Sequence, residues 1–144
     1  MINGSLYYVA PRDSLDFIQD EGILTPAEVI KLIESGQLPE EVLGVSFGGK
    51  DSSNFRQFVS MVSDPNITKI VAEQICFART GRYNDPDFMA IGYAISPEIR
   101  KQSGFLDESA VKQMNNDCYS SEVLFEGRIT TEFIHPRYFA VRTR

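Results

Sequence analysis

Short apolar runs, separated by turn-forming residues, organise this chain. Residues 6–10 form a run rich in Tyr and Val that Pro11 stops, a pattern that predicts a buried strand. Residues 88–95 and 137–142 predict further strands, and residues 45–47 predict a short one. Strands therefore recur along the chain, with most of the convincing ones in its second half.

Helical spacing is concentrated in the first half. A helix is expected to begin near Asp13 or Ser14 and to end at Gly22, and a second to begin at Pro26 and to end at Gly36. Apolar residues at positions 55, 58, 59 and 62 also recur at helical spacing, whereas residues 67–78 fit helix and strand equally well. Together with the strands, this predicts a single α+β domain over residues 1–144 with a largely antiparallel sheet.

Composition narrows the function classes. The 144 residues are 42% hydrophobic and 24% charged, which is ordinary for a globular domain. The net charge of -6 argues against broad electrostatic binding of duplex nucleic acid. No apolar run approaches the ~20 residues that cross a bilayer, and no leader pattern precedes residue 6, so we expect a cytoplasmic location. Two distant cysteines and one histidine lack metal-ligand spacing, so no metal site is predicted.

One carboxylate stands out because it lies in an otherwise apolar strand. Residues 119–125 are apolar or aromatic except for two serines and Glu122. Residues 126–128 then turn the chain, and Thr130 can cap a helical turn that ends at Ile134. Strands rarely carry Glu unless it faces water, forms an ion pair or takes part in chemistry. The residues alone leave these alternatives open.

Two other segments are candidates for ligand contact. Tyr7 and Tyr8 precede a capped helix, and either can be a core aromatic or face a ligand. Ser46 and Phe47 end a predicted strand just before two glycines, where the backbone can approach a ligand closely or form an ordinary mobile loop. Tyr93, in the strand over residues 88–95, can stack on a ring or belong to the core.

Taken in order, these segments resemble ADP-ribosyltransferases of the DarT type, which modify thymidine in single-stranded DNA. The resemblance covers roughly the first 24 and the last 30 residues. In the first strand and helix of that family, the matching positions are Tyr7, Asp13, Leu15, Ile18 and Gly22. The catalytic strand of the family, with the turn and short helix after it, is matched by Ser121-Glu122-Val123-Leu124 and residues 129–134. Two positions depart from the pattern: the family His is Tyr8 here, and the Thr after it is Ala10.

The resemblance implies a fold and a reaction. The fold would be a split, twisted, mainly antiparallel β-core with flanking helices, and NAD would bind in its cleft as a substrate. Glu122 would hold the ribose 2′-hydroxyl and stabilise the oxocarbenium-like charge that forms as nicotinamide leaves. Tyr8 would line the nicotinamide-ribose side, Ser46 and Phe47 the opposite wall, and Lys50 would contact phosphate. The acceptor would be a nucleic acid or a protein, and an antitoxin could be a partner.

Two other functions are compatible with the same fold. An RNA 2′-phosphotransferase also uses NAD, but its chemistry relies on several basic residues around an RNA phosphate, and this chain is acidic. A catalytically inactive module that binds a protein partner is the third hypothesis, and Tyr8 in place of the family His favours it. Calorimetry with NAD distinguishes the inactive module from the two enzymes.

Overall fold

A computed structural model describes residues 4–37, 55–114 and 117–143. Six strands are present among them: β1 (Leu6–Pro11), β2 (Phe58–Val62), β3 (Met89–Ile95), β4 (Phe105–Leu106), β5 (Glu122–Glu126) and β6 (Phe139–Arg142). Four α-helices accompany them: α1 (Leu15–Glu21), α2 (Pro26–Glu34), α3 (Thr68–Thr80) and α4 (Glu108–Met114). Short 3₁₀ turns cover Arg12–Ser14, Pro65–Ile67, Pro97–Lys101 and Thr131–Phe133.

The six strands form one antiparallel sheet in the order β4-β5-β2-β1-β3-β6. This confirms the predicted α+β class. β1 pairs with β3 at six positions, but with β2 only where Tyr7 faces Val62. The sheet is therefore split between β1 and β2, as the predicted β-core required.

Side chains on the two faces of the sheet form separate clusters. On one face, Leu6, Ala10, Met61 and Val123 pack with Ile18 of α1. The other face carries three smaller clusters. They are Val9 with Ala72 and Ile75 of α3, Tyr7 with Val62 and Ala94, and Phe58 with Leu124 and Val111 of α4. Helices thus cover both sides of the sheet, which is why its central strands are buried on both faces.

Most predicted elements are confirmed. The strand at residues 6–10 and the strand at residues 88–95 are β1 and β3, and the helices ending at Gly22 and Gly36 are α1 and α2. Thr25 begins α2 with a capping box, in which its hydroxyl accepts from the Glu28 N–H and its own N–H donates to the Glu28 carboxylate. The predicted strand at residues 45–47 lies outside the described residues.

The secondary structure of two segments could be assigned only from the tertiary structure. The helical interpretation of residues 55–62 is wrong, because Phe58–Val62 is the strand β2. Its apolar residues are nearly continuous because β2 lies between β1 and β5 and is buried on both faces. Residues 67–78, left open above, are helical in α3, which ends at Gly81 in the left-handed conformation.

Candidate functional site

Glu122 is the first residue of β5 and is only 1% exposed. The Ser60 hydroxyl donates a hydrogen bond of 2.6 Å to its Oε2, and the Tyr119 backbone N–H donates one of 2.9 Å to its Oε1. Hydrogen bonds to an ionised carboxylate are short and about twice as strong as neutral ones. Both carboxylate oxygens are therefore held in place from two different elements, the strand β2 and the turn before β5.

The residue before Glu122 has an unusual backbone. Ser121 has φ of 63°, and it is the one non-glycine residue with positive φ among those that the structure describes. The Asp64 N–H donates to its side-chain oxygen at 3.1 Å, and the Ser63 N–H donates to its carbonyl at 3.0 Å. A conformation that costs of order 1–3 kcal/mol is maintained only where surrounding contacts impose it. These contacts orient the start of β5 and hence Glu122.

An ion pair supports this turn from outside. The Ser63 hydroxyl donates to Glu108 at 2.8 Å, and Glu108 in turn accepts two hydrogen bonds from the Arg100 guanidinium at 3.0 and 3.1 Å. The Arg100 hydrogen bonds, then the backbone N–H of Glu108 and the Ser63 hydroxyl, lower the pKa of Glu108 to about 2. The Glu108 carboxylate therefore stays ionised at neutral pH and fixes Ser63 beside the Glu122 turn.

A cleft opens where β1 and β2 separate. Its volume is about 30 Å³, and its lining includes Tyr8 from β1, Ser60 from β2 and Tyr119. Ser60 and Tyr119, which donate to Glu122, thus line this cleft, whereas Glu122 is not one of its lining residues. A volume of this size holds one water molecule.

The Tyr119 hydroxyl is a second polar group at the cleft. It is buried and has no hydrogen-bond partner among the described residues. Burial, and then the negative charge of Glu122, raise the pKa of Tyr119 well above 10, so the hydroxyl stays protonated. Buried hydroxyls without a partner are rare in proteins. This one is available to donate to a ligand in the cleft.

Strand geometry separates the two tyrosines of β1. Tyr7 faces Val62, and Val62 faces Glu122, so these three side chains lie on the α3 side of the sheet. Tyr8 points to the other face, where it lies opposite Tyr93 and packs against the main core cluster. Burial raises the pKa of Tyr8 to about 12. Tyr8 is nevertheless one of the residues that line the cleft.

The other sequence candidates have different outcomes. Ser46, Phe47 and Lys50 lie outside the described residues, so their predicted roles stay predictions. Tyr93 is 1% exposed and belongs to the core cluster. Sequence reasoning missed Ser60, although it is the sole polar residue within the apolar strand β2 and carried the same signal as Glu122.

The fold has matches among solved structures. A double mutant of heat-labile enterotoxin, an ADP-ribosyltransferase toxin, aligns with 96% of this chain at 16% identity and a TM-score of 0.55. The fold is ADP-ribosyltransferase-like. The chain spans 57% of that enterotoxin chain. A second match, EcPltA, aligns with 97% of this chain and 85% of its own at 11% identity and a TM-score of 0.46. No protein-family model and no curated protein matches the sequence.

Two searches of the described residues bear on other kinds of site. Within residues 4–37, 55–114 and 117–143, no three His, Cys, Asp or Glu side chains are grouped closely enough to hold a metal ion. Over the same ranges no helix has the length and apolarity to cross a bilayer.

Proposed function

We propose that this protein is an NAD-dependent ADP-ribosyltransferase in which Glu122 is the catalytic carboxylate. The observation that carries the proposal is the buried Glu122, held by Ser60 and Tyr119 beside the split between β1 and β2. The ADP-ribosyltransferase-like fold supports it, since a matched solved structure is a toxin of that activity. The more specific resemblance to ADP-ribosyltransferases of the DarT type is part of this proposal.

The arrangement fits the electrostatics that this reaction needs. Loss of nicotinamide leaves positive charge on the ribose, and a fixed carboxylate stabilises that charge without reorganising during the step. The Ser60 hydroxyl and the Tyr119 N–H hold the Glu122 carboxylate in place, because each donates a hydrogen bond to a different oxygen. Glu122 would also hold the ribose 2′-hydroxyl and could take the proton from the acceptor.

The cleft also offers features that suit NAD. The unpartnered Tyr119 hydroxyl is a donor for a ribose or carboxamide oxygen, and Tyr8 adds an aromatic edge. The volume of about 30 Å³ is far below the roughly 300–1,000 Å³ of usual ligand pockets, so we expect β1 and β2 to move apart when NAD binds. Their single paired position, Tyr7 with Val62, leaves them freer to do so than the six-position pairing of β1 with β3. Ser46, Phe47 and Lys50 remain the proposed opposite wall and phosphate contact.

Labelled NAD tests the proposal directly. Wild-type protein is expected to bind NAD, to melt at a higher temperature in its presence, and to transfer label to a nucleic acid or protein acceptor. Glu122→Ala is expected to abolish labelling while the circular-dichroism spectrum stays unchanged. Full labelling by Glu122→Ala would overturn the assignment of Glu122.

A non-catalytic protein-binding module is the second candidate. The observation that favours it is the 1% exposure of Glu122, whose two oxygens already accept hydrogen bonds from Ser60 and Tyr119. Calorimetry that detects no NAD binding, together with a stable complex with a macromolecule, would select this candidate. The identity of the acceptor, the cytoplasmic location and an antitoxin partner stay predictions under either function.

A further inference from the structure

A second cavity lies on the face of the sheet opposite α3. Its volume is about 260 Å³, and its lining residues are Ile18 and Gln19 of α1, Tyr93 of β3, Thr131, Ile134, His135 and Pro136. None of its lining residues lines the cleft beside Glu122. It lies just below the usual range of ligand pockets, about 300–1,000 Å³, and so suits a fragment-sized molecule.

Backbone hydrogen bonds hold one wall of this cavity in place. Ile134 pairs with Ile95, the His135 N–H donates to the Ala94 carbonyl at 2.9 Å, and the Ser96 N–H donates to the Phe133 carbonyl at 2.7 Å. The wall is therefore fixed to β3 as an additional strand would be. Ligand sites are usually largely formed before the ligand binds, and this one meets that condition.

One polar group of the cavity has no partner. Tyr93 is 1% exposed, and its hydroxyl is buried without a hydrogen bond among the residues that the structure describes. Burial raises the pKa of Tyr93, and the nearby Tyr138 and Asp16 raise it further, so the hydroxyl remains a donor. A ligand oxygen or ring nitrogen that accepts from Tyr93 would supply the missing bond.

The other polar groups set the charge of the ligand. The Arg137 N–H donates to His135 Nδ1 at 3.2 Å, so the neutral imidazole carries its proton on Nε2 and offers a second donor. Gln19 and Thr131 are uncharged, and Ile18, Ile134 and Pro136 supply apolar surface. None of the lining residues is an Arg or Lys that would attract an anion, and Asp16 of α1 adds negative charge near Tyr93. These features favour a neutral, partly apolar molecule with acceptor atoms, and the rings of Tyr93 and His135 suit an aromatic one.

We propose that this cavity is a second ligand site, which takes a small neutral heteroaromatic ring with carbonyl or ring-nitrogen acceptors facing Tyr93 and His135. The site is independent of Glu122 and does not require ADP-ribosyltransferase activity. It would allow a free nucleobase-like compound to bind on the side of the sheet opposite α3.

Titration of the isotope-labelled protein by NMR tests this site. The probes are uracil and hypoxanthine, and orotate serves as the anionic counterpart of uracil, since it adds one carboxylate to the same ring. At millimolar concentration at least one neutral probe is expected to shift amide signals of Ile18, Tyr93 and His135, and orotate to bind more weakly. Tyr93→Phe, which removes a single oxygen, is expected to weaken binding about five-fold. Tyr138→Phe removes the hydroxyl of an exposed neighbour that does not line the cavity, and it is expected to leave the affinity for the probe unchanged.

Several results would overturn the proposal. They are the absence of shifts with both neutral probes, shifts centred on Ser60 and Tyr119, equal affinity for orotate and uracil, or unchanged affinity in Tyr93→Phe. Because no NAD is used, these outcomes are independent of the labelling experiment on Glu122. Failure of one assignment therefore leaves the other in place.

Discussion

The hydrogen bond between Ser60 and Glu122 gives the sharpest quantitative prediction. Ser60→Ala removes the hydroxyl that donates to Oε2 at 2.6 Å, in a place where the carboxylate is 1% exposed. The change leaves the β2 backbone and its pairing with β5 intact. The lost interaction is therefore the dominant effect on stability.

The expected magnitude follows from the charge on Glu122. A hydrogen bond to a charged group contributes about 1.5–3 kcal/mol, and one between neutral groups about 0.5–1.5 kcal/mol. Ser60→Ala should lower the free energy of unfolding by about 2 kcal/mol, which is about 4–8 °C in melting temperature for a domain of this size. In a Glu122→Gln background, the same substitution should cost about 1 kcal/mol.

Urea denaturation of the wild type, both single variants and the double variant measures this difference as a double-mutant cycle. Ser109→Ala is the matched control, because Ser109 is an exposed serine of α4 and is not one of the residues that donate a hydrogen bond to Glu122. It is expected to change stability by less than about 0.5 kcal/mol. Independent sites add within about 0.3–0.5 kcal/mol, so additivity of Ser60→Ala and Glu122→Gln within that margin would refute the coupling.

Three further predictions test other parts of the structure. Gly92→Ala places a Cβ that overlaps the Phe139 ring, so it should cost about 1–3 kcal/mol in urea denaturation, and a cost near zero would refute the packing of that ring over Gly92. Thr25→Ala removes a capping box and should lower the free energy of unfolding by about 1 kcal/mol. Substitution of an exposed threonine by alanine should change it very little, and equal costs for the two substitutions would contradict the cap. Glu108 has its pKa lowered to about 2 by Arg100, so its contribution is complete above pH 4.5, its ordinary value, and is lost as pH falls towards 2. The stability difference between wild type and Glu108→Gln, less than about 1 kcal/mol for so exposed a pair, should vanish over that interval, and a difference independent of pH would contradict the ion pair.

The sequence predicted those elements whose local signals agree with their tertiary setting. β1 is an apolar run ended by proline, and α2 combines a threonine cap with a first-turn proline, so each follows from local rules. The helical prediction for Phe58–Val62 was wrong because a strand that is buried on both faces lacks the alternation of polar and apolar residues by which strands are identified. Its burial depends on neighbours that lie far away in the chain, namely β1 and β5.

In the candidate site, too, local sequence identified some features, whereas others depended on how the strands pair. Glu122 was identifiable because a carboxylate in an apolar strand is unusual on local grounds alone. Its contact with Ser60 joins residues 62 positions apart and depends on the register of β2 against β5, which local pattern does not determine. Consecutive strand residues such as Tyr7 and Tyr8 face opposite sides of the sheet, but which of them lies on the side of Glu122 depends on which one pairs with Val62. The resemblance of the first and last segments to one family indicated the fold, whereas the details of the cleft required the sheet.

The rate of nicotinamide release from NAD tests the central claim most directly. It is compared between the wild type and Glu122→Gln, with both proteins shown to be folded by circular dichroism and to melt cooperatively. The account predicts release by the wild type and at least about a 100-fold lower rate for Glu122→Gln, because the substitution removes the fixed negative charge and keeps the shape. Equal rates in the two proteins would contradict it.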